Sequence, residues 1–212
     1  MYRIDLLRHG ETELSHTLRG STDDALTNLG WQQMQQTVDQ YLNQNRLQPN
    51  ALEKSDDYHW QCVLSSPLER CRLFAEHMSQ TLQVPLACFD QLQEMHFGAW
   101  EAVTTAEIYE KYPEQLAKFW QSPTQYTPPQ AESLLDFHKR VMLALKQIHS
   151  HMQLNQYDHA LVVTHGGVIK LLKCLALQQP LDDILKMKAE LGQLNAFILH
   201  DDLSLAWLGA DQ

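Results

Sequence analysis

The chain has 212 residues, of which 44% are apolar, 20% charged and 8% aromatic; this is enough to bury about 70% of the unfolded surface and too apolar for long disorder. Sixteen basic against twenty-six acidic residues leave a formal charge of −10, which disfavours nucleic acid and membrane surfaces as partners, so any bound anion must be held by a local basic cluster. No run of about 18 apolar residues occurs, and Arg3 and Asp5 interrupt the N-terminus before any signal-peptide core, so neither membrane spanning nor secretion is expected. Cys62, Cys71, Cys88 and Cys174 lack C-x-x-C spacing and fall in strand- or helix-like runs, which points to buried thiols in a reducing cytoplasm.

Along the chain, "RIDLLRHG" (3–10) opens with a short apolar run that predicts a buried strand. Trp31, Met34, Val38 and Tyr41 then recur at helix spacing behind Thr27, a suitable N-cap. "CVLSSPLER" (62–70) predicts a second strand, followed by a helix with a Leu68, Cys71, Ala75, Met78, Leu82 stripe. Its start resembles a capping box at Ser66–Glu69 with Pro67 at the first helical position. Residues 97–130 carry helical pieces broken at Pro113, Pro123, Pro128 and Pro129 and are expected to form a cap over the sheet. A third stripe, Leu134, His138, Val141, Leu145, Ile148 and Met152, precedes the strand "ALVVTHGG" (160–167), and "AFILHDD" and "SLAWLG" form a closing pair joined by a tight turn. Alternating strands and helices predict a three-layer α/β/α sandwich with a mostly parallel sheet, one domain over 1–212 with its cap.

In such sheets ligands bind beyond the carboxyl ends of the strands. Those ends deliver Arg8 and His9, Arg70 in the first turn of the second helix, and His165 followed by Gly166-Gly167. Guanidinium groups bind phosphate oxygens bidentately and keep their charge, and a helix start favours an anion. A phosphate is the expected occupant. Positive neighbours disfavour protonation of His9, which suits a nucleophile, while His165 is placed to donate to the phosphoryl oxygens and the glycines let the backbone approach closely. A lone histidine or arginine at a strand end is ordinarily structural; four at three ends are not ordinary if the strands are neighbours. No G-x-x-x-x-G-K-[ST], G-x-G-x-x-G or H-E-x-x-H occurs, and His149 and His151, at i and i+2, read as surface decoration. The phosphoryl transfer as drawn requires no metal or other cofactor.

The motifs "LLRHGETE", "SSPLERC", "EMHFGAWE" and "VVTHGGV" resemble the histidine phosphatase superfamily, also called phosphoglycerate mutase-like, over nearly the whole chain. The resemblance implies a phosphohistidine mechanism with His9 as nucleophile and Arg8, Arg70 and His165 in the phosphate pocket. It assigns Glu94 the proton-donor position, and it places "RGSTDDALTNLG" (19–30) as the loop framing the site. Three positions depart from the family pattern: Ser15 stands where a phosphate-binding asparagine is common, Ala131 replaces the glycine of G-E-S, and Cys71 replaces an alanine.

Within the family the chain is similar to the α-ribazole phosphatases of cobalamin nucleotide-loop assembly, which act on a small phosphomonoester. Seven of the eighteen aromatic residues, Phe97, Trp100, Tyr109, Tyr112, Phe119, Trp120 and Tyr126, crowd into the cap. Packing explains most of them, and stacking on a substrate base is the competing use. A broad-specificity phosphatase, a mutase-type phosphoryl transferase and a non-catalytic phosphoanion-binding module are the alternatives, and a homodimer is compatible with the sequence.

Overall fold

A computed structural model describes residues 1–46 and 59–210. In chain order its strands are β1 (Tyr2–Arg8), β2 (Thr17–Leu18), β3 (Cys62–Ser65), β4 (Leu86–Cys88), β5 (Val103–Thr104), β6 (His159–Thr164), β7 (Leu194–Leu199) and β8 (Leu205–Ala210). Its helices are α1 (Asn28–Arg46), α2 (Glu69–Leu82), α3 (Thr105–Lys111), α4 (Pro113–Gln121), α5 (Leu134–Asn155) and α6 (Gly166–Ala176). Six strands form one sheet in the order β4-β3-β6-β1-β7-β8. The β1, β3, β4 and β6 pairings are parallel, and β7 and β8 close the far edge antiparallel.

Strand periodicity sorts the core into two layers. Ile4, Leu6, Leu64 and Val162 face α5 and α6, whereas Leu7, Val63, Leu161 and Val163 face α1 and α2. The mostly parallel three-layer architecture is therefore as the alternation implies. Thr27 caps α1, its Oγ1 accepting the Gly30 N–H at 3.0 Å. The cap follows the proline breaks, with Pro113 opening α4, and Ile108, Leu116 and Phe119 bury its inner side on the α5/α6 face. β2 and β5 pair antiparallel and tie the segment after β1 to the cap.

Four expectations need correction. The Ser66 capping box does not form: α2 starts at Glu69 with Leu68 at the N-cap and no side-chain bond, because the Ser66 hydroxyl is turned to His165 at 2.7 Å. In α5 the buried stripe runs through Phe137 rather than His138, since the ring outcompetes the imidazole for the apolar face. Cys88 is exposed, at the end of the edge strand β4, while the other three thiols are buried. His149 and His151 are half-buried and packed edge-on against Tyr2 and Phe89, at centroid separations of 5.0 and 5.9 Å.

In the middle of β1 a buried carboxylate pins the sheet. Asp5 accepts from Trp60 Nε1 at 2.9 Å and Arg3 Nε at 3.0 Å and meets His159 Nε2 at 2.7 Å. Burial opposes its charge, but His159 and Arg3 outweigh that and hold its pKa below the ordinary aspartate value. Removing one partner of a buried pair leaves the others uncompensated. Asp5→Ala is expected to reduce unfolding free energy by about 3–5 kcal/mol in urea titrations. The depressed pKa makes this stabilisation full above about pH 4 and lost as pH falls through the folded value; Asp5→Asn should remove that part of the acid limb.

Candidate active site

The sheet register builds the centre. Arg8 pairs with Thr164 across β1 and β6, so the next residues, His9 and His165, emerge side by side, and the His9 N–H donates to the Thr164 carbonyl at 3.0 Å. Their rings stand 5.3 Å apart between centroids. Nδ1 of His9 lies 2.8 Å from the Gly10 carbonyl. A carbonyl only accepts, so Nδ1 carries the proton and Nε2 of the neutral ring keeps its lone pair. Burial, then the charges of Arg70 and Arg8, hold the His9 pKa well below the ordinary histidine value, and burial with Arg70, His9 and Arg8 does the same for His165. Ser66 Oγ orients His165, and the Cys71 sulfur packs 3.6 Å from its Nε2. That thiol is inert, because burial pushes its pKa up.

Three guanidiniums surround these rings. Arg70 has no solvent exposure; it donates to the Thr22 and Gly20 carbonyls at 2.6 and 2.8 Å and to Asp24 at 3.2 Å. Arg8 donates to the Ala189 carbonyl, and Arg19 pairs with Asp24 at 3.3 Å. In Arg8 and Arg70 the Nε–H is buried without an acceptor among the described residues, while Arg19 Nε faces the Asp24 carboxylate. Unmade bonds of this kind cost about 1–3 kcal/mol each, and one oxyanion can accept from several donors. The loop carrying Gly20 and Thr22 is itself held by Glu101, whose carboxylate accepts the N–H groups of Gly20, Ser21, Thr22 and Phe97 and the Thr22 hydroxyl. Burial opposes the Glu101 charge, yet these bonds lower its pKa.

Glu94 and His9 both line a cavity of about 250 Å³, together with Arg8, Arg19 and Lys170. Its Oε1 accepts the Met95 N–H at 2.9 Å and its Oε2 the Gly167 N–H at 2.8 Å. A Cβ on Gly167 would lie 2.2 Å from Glu94 Oε1, and one on Gly166 would lie 3.0 Å from Arg8 Nε. Both glycines thus make room for side chains of the site. Ser15 lines the cavity, but its hydroxyl accepts the Thr12 N–H at 2.8 Å and closes a local turn. Arg70 and His165 are fully buried behind the cavity rather than on its wall. Of the cap aromatics, Phe97, Phe119 and Trp120 line it; Trp100 and Tyr126 pack into the core cluster, and Tyr109 and Tyr112 are exposed.

A profile of the histidine phosphatase superfamily (branch 1) matches residues 4–205. The chain belongs to the histidine phosphatase superfamily. A bifunctional protein of Mycobacterium tuberculosis is 32% identical over 204 residues, 94% of this chain and 51% of that protein. This histidine phosphatase chain therefore spans about half the length of the curated relatives it matches first. An uncharacterized phosphatase of Bacillus subtilis is 26% identical over 171 residues, covering 80% of this chain and 74% of its own. The crystal structure of an α-ribazole phosphatase from Shigella flexneri shares the fold, with a TM-score of 0.76 at 23% identity over 99% of this chain and 96% of that one.

Arg8, His9, Arg70, Glu94 and His165 are thus gathered from three strand ends and the cap entry. Three contributors were given no place in the site from sequence: Arg19, Ser66 and Glu101; Gly167 was singled out, but as a close approach of backbone to the anion rather than as room for Glu94. Glu101 had a signal, as the last residue of "FGAWE"; Arg19 and Ser66 had none separable from loop polarity and helix capping. Gly167→Ala is expected to displace Glu94 and lower kcat by about 10²–10⁴-fold, the range for losing a general acid–base, with circular dichroism unchanged. Gly166→Ala, with the longer approach, should be milder. Equal effects on both would contradict the placement of Glu94.

Proposed function

We propose that this chain is a metal-independent phosphomonoesterase working through a phosphohistidine at His9. The observation that carries the proposal is a neutral histidine with a fixed tautomer, its free Nε2 set among three permanently charged guanidiniums, two of which, Arg8 and Arg70, keep an unmade Nε–H bond. The substrate phosphate sits against Arg8, His9 and Arg19 on the cavity wall, backed by the buried Arg70 and His165, with Gly166 opening the helix beside it; Ser15, occupied by Thr12, contributes little. Nε2 attacks phosphorus as the P–O bond to the leaving alcohol breaks, and Glu94 gives its proton to that oxygen. Water then attacks the phosphohistidine, Glu94 takes back a proton, and the P–N bond electrons return to Nε2 as inorganic phosphate leaves. The arginines stabilise the charge on the equatorial oxygens in both steps.

The finer reading is an α-ribazole 5′-phosphate phosphatase in cobalamin nucleotide-loop assembly, acting in the cytoplasm. Support comes from Phe97, Phe119 and Trp120, aromatic residues lining the cavity that suit a benzimidazole, from the F-G-x-W-E motif, and from the fold shared with a protein of that name. Single-turnover reactions with ³²P-labelled substrate in chelator should trap an acid-labile phosphoenzyme that releases phosphate within seconds without an acceptor. His9→Ala should abolish it with the fold intact. Turnover in that variant would refute the nucleophile, and a long-lived phosphoenzyme would favour a transferase. Hydrolysis of glycerol phosphate as efficient as that of α-ribazole 5′-phosphate would refute the finer reading.

A further inference from the structure

Glu94 lies in a stretch with no regular structure to hold it. A 3₁₀ turn at Asp90–Leu92 ends before it and the next, at Gly98–Trp100, begins after it, so neither a helix nor a strand ladder fixes its backbone. A proton donor must nevertheless be placed closely, because catalysis falls steeply with misalignment. From the front its carboxylate is held by the Met95 and Gly167 N–H groups. From behind its main chain is held by a side chain that no step above uses.

That side chain is Arg140, in the second turn of α5. Its Nη1 donates to the Gln91 and Gln93 carbonyls, both at 2.9 Å, and its Nη2 to the Glu94 carbonyl at 3.1 Å. Nε and Nη2 also grip the Glu132 carboxylate bidentately, each at 2.8 Å. A guanidinium has five N–H groups, and every one of them is spent here on Glu132 or on the backbone around Glu94. Glu132 closes the frame on the far side of Glu94: its N–H donates to the His96 carbonyl at 2.9 Å, and its carboxylate accepts the His96 N–H at 3.4 Å. The remaining carbonyl of the stretch, that of Leu92, accepts the Thr164 hydroxyl at 3.2 Å. Because Glu132 matches the charge of Arg140, what the guanidinium adds is its planar fork, which an ammonium cannot reproduce. The fork ties Glu94 to a helix whose apolar stripe is buried in the core.

We infer that Arg140, held by Glu132, is a positioning residue for the proton transfer: it sets where the Glu94 carboxyl stands relative to the leaving oxygen. This rests on the phosphohistidine reading, with Glu94 as its proton donor, and deepens it. Arg140 touches neither substrate nor His9; it acts only through the main chain of residues 91–94.

The test uses the leaving group. An alkoxide must be protonated to depart, whereas a dinitrophenolate leaves without a proton. The quantity read is the ratio of His9 phosphorylation rates from ³²P-labelled 2,4-dinitrophenyl phosphate and glycerol phosphate in quenched single turnovers. Arg140→Met should widen the wild-type ratio by about 10²-fold, the cost of an ångström-scale misplacement. Arg140→Lys, which keeps the charge and loses the fork, should widen it too, and it carries the test if the Met variant does not fold. Glu94→Gln is the reference and should widen the ratio at least as far. A merely structural role would slow both esters alike. An unchanged ratio in folded Arg140→Met or Arg140→Lys, beside a widened one in Glu94→Gln, overturns this inference alone. An unchanged ratio in Glu94→Gln, or no phosphohistidine in the wild type, refutes the reading beneath it.

Discussion

A permanently charged side chain with no solvent exposure has to be held by the backbone, and Arg70 sets that demand for the whole carboxyl end of the sheet. Its partners are the Gly20 and Thr22 carbonyls and Asp24, so the loop after β2 must come down over α2. Glu101 answers by gathering four N–H groups of that loop and the cap entry onto one carboxylate. The order of cause runs from the cap motif, through the loop, to the guanidinium. Arg19 shares Asp24, and Arg8 is braced from the Ala189 carbonyl. Three positive charges against Asp24 and Glu94 leave a local excess of cation inside a molecule of net charge −10, and an oxyanion is the natural complement.

That excess also governs the histidines. An imidazole in bulk water is half protonated near pH 6.5; one enclosed by guanidiniums and stripped of water is not, and His9 and His165 both move in that direction. The Gly10 carbonyl then fixes which nitrogen is free. Bound phosphate reverses the local field, so the same ring that is neutral in the empty cage can bear positive character once phosphoryl oxygens approach. The chemistry is thus linked to occupancy through electrostatics, with no moving part required.

Much of this was legible in the residues because it follows from periodicity. The apolar runs ending in Arg8-His9 and Thr164-His165 mark parallel strands, and a register matching Arg8 to Thr164 puts the histidines together. Thr27 behaved as its side chain allows. Ser66 did not: its hydroxyl is turned to His165 and accepts only the Leu68 N–H, at 3.4 Å, while α2 starts at Glu69, and no local rule ranks a tertiary partner above a capping box. Phe137 displaced His138 from the α5 stripe by one residue, a shift that a helix absorbs with a small rotation. Cys88 fell on an edge strand, whose exposure depends on sheet order rather than on composition. Arg19 and Glu101 lie in segments without a hydrophobic period, so only their partners, distant in sequence, reveal them.

The central claim is that the guanidinium cage keeps His9 neutral, with its proton on Nδ1. It is tested most directly by ¹⁵N NMR of the imidazole nitrogens, titrated without phosphate and assigned with His9→Ala. The account predicts that His9 stays neutral, with Nδ1 protonated and Nε2 not, as the pH falls from 8 through the ordinary histidine midpoint of about 6.5. A midpoint at or above about 6.5, or a neutral ring with the proton on Nε2, would contradict it.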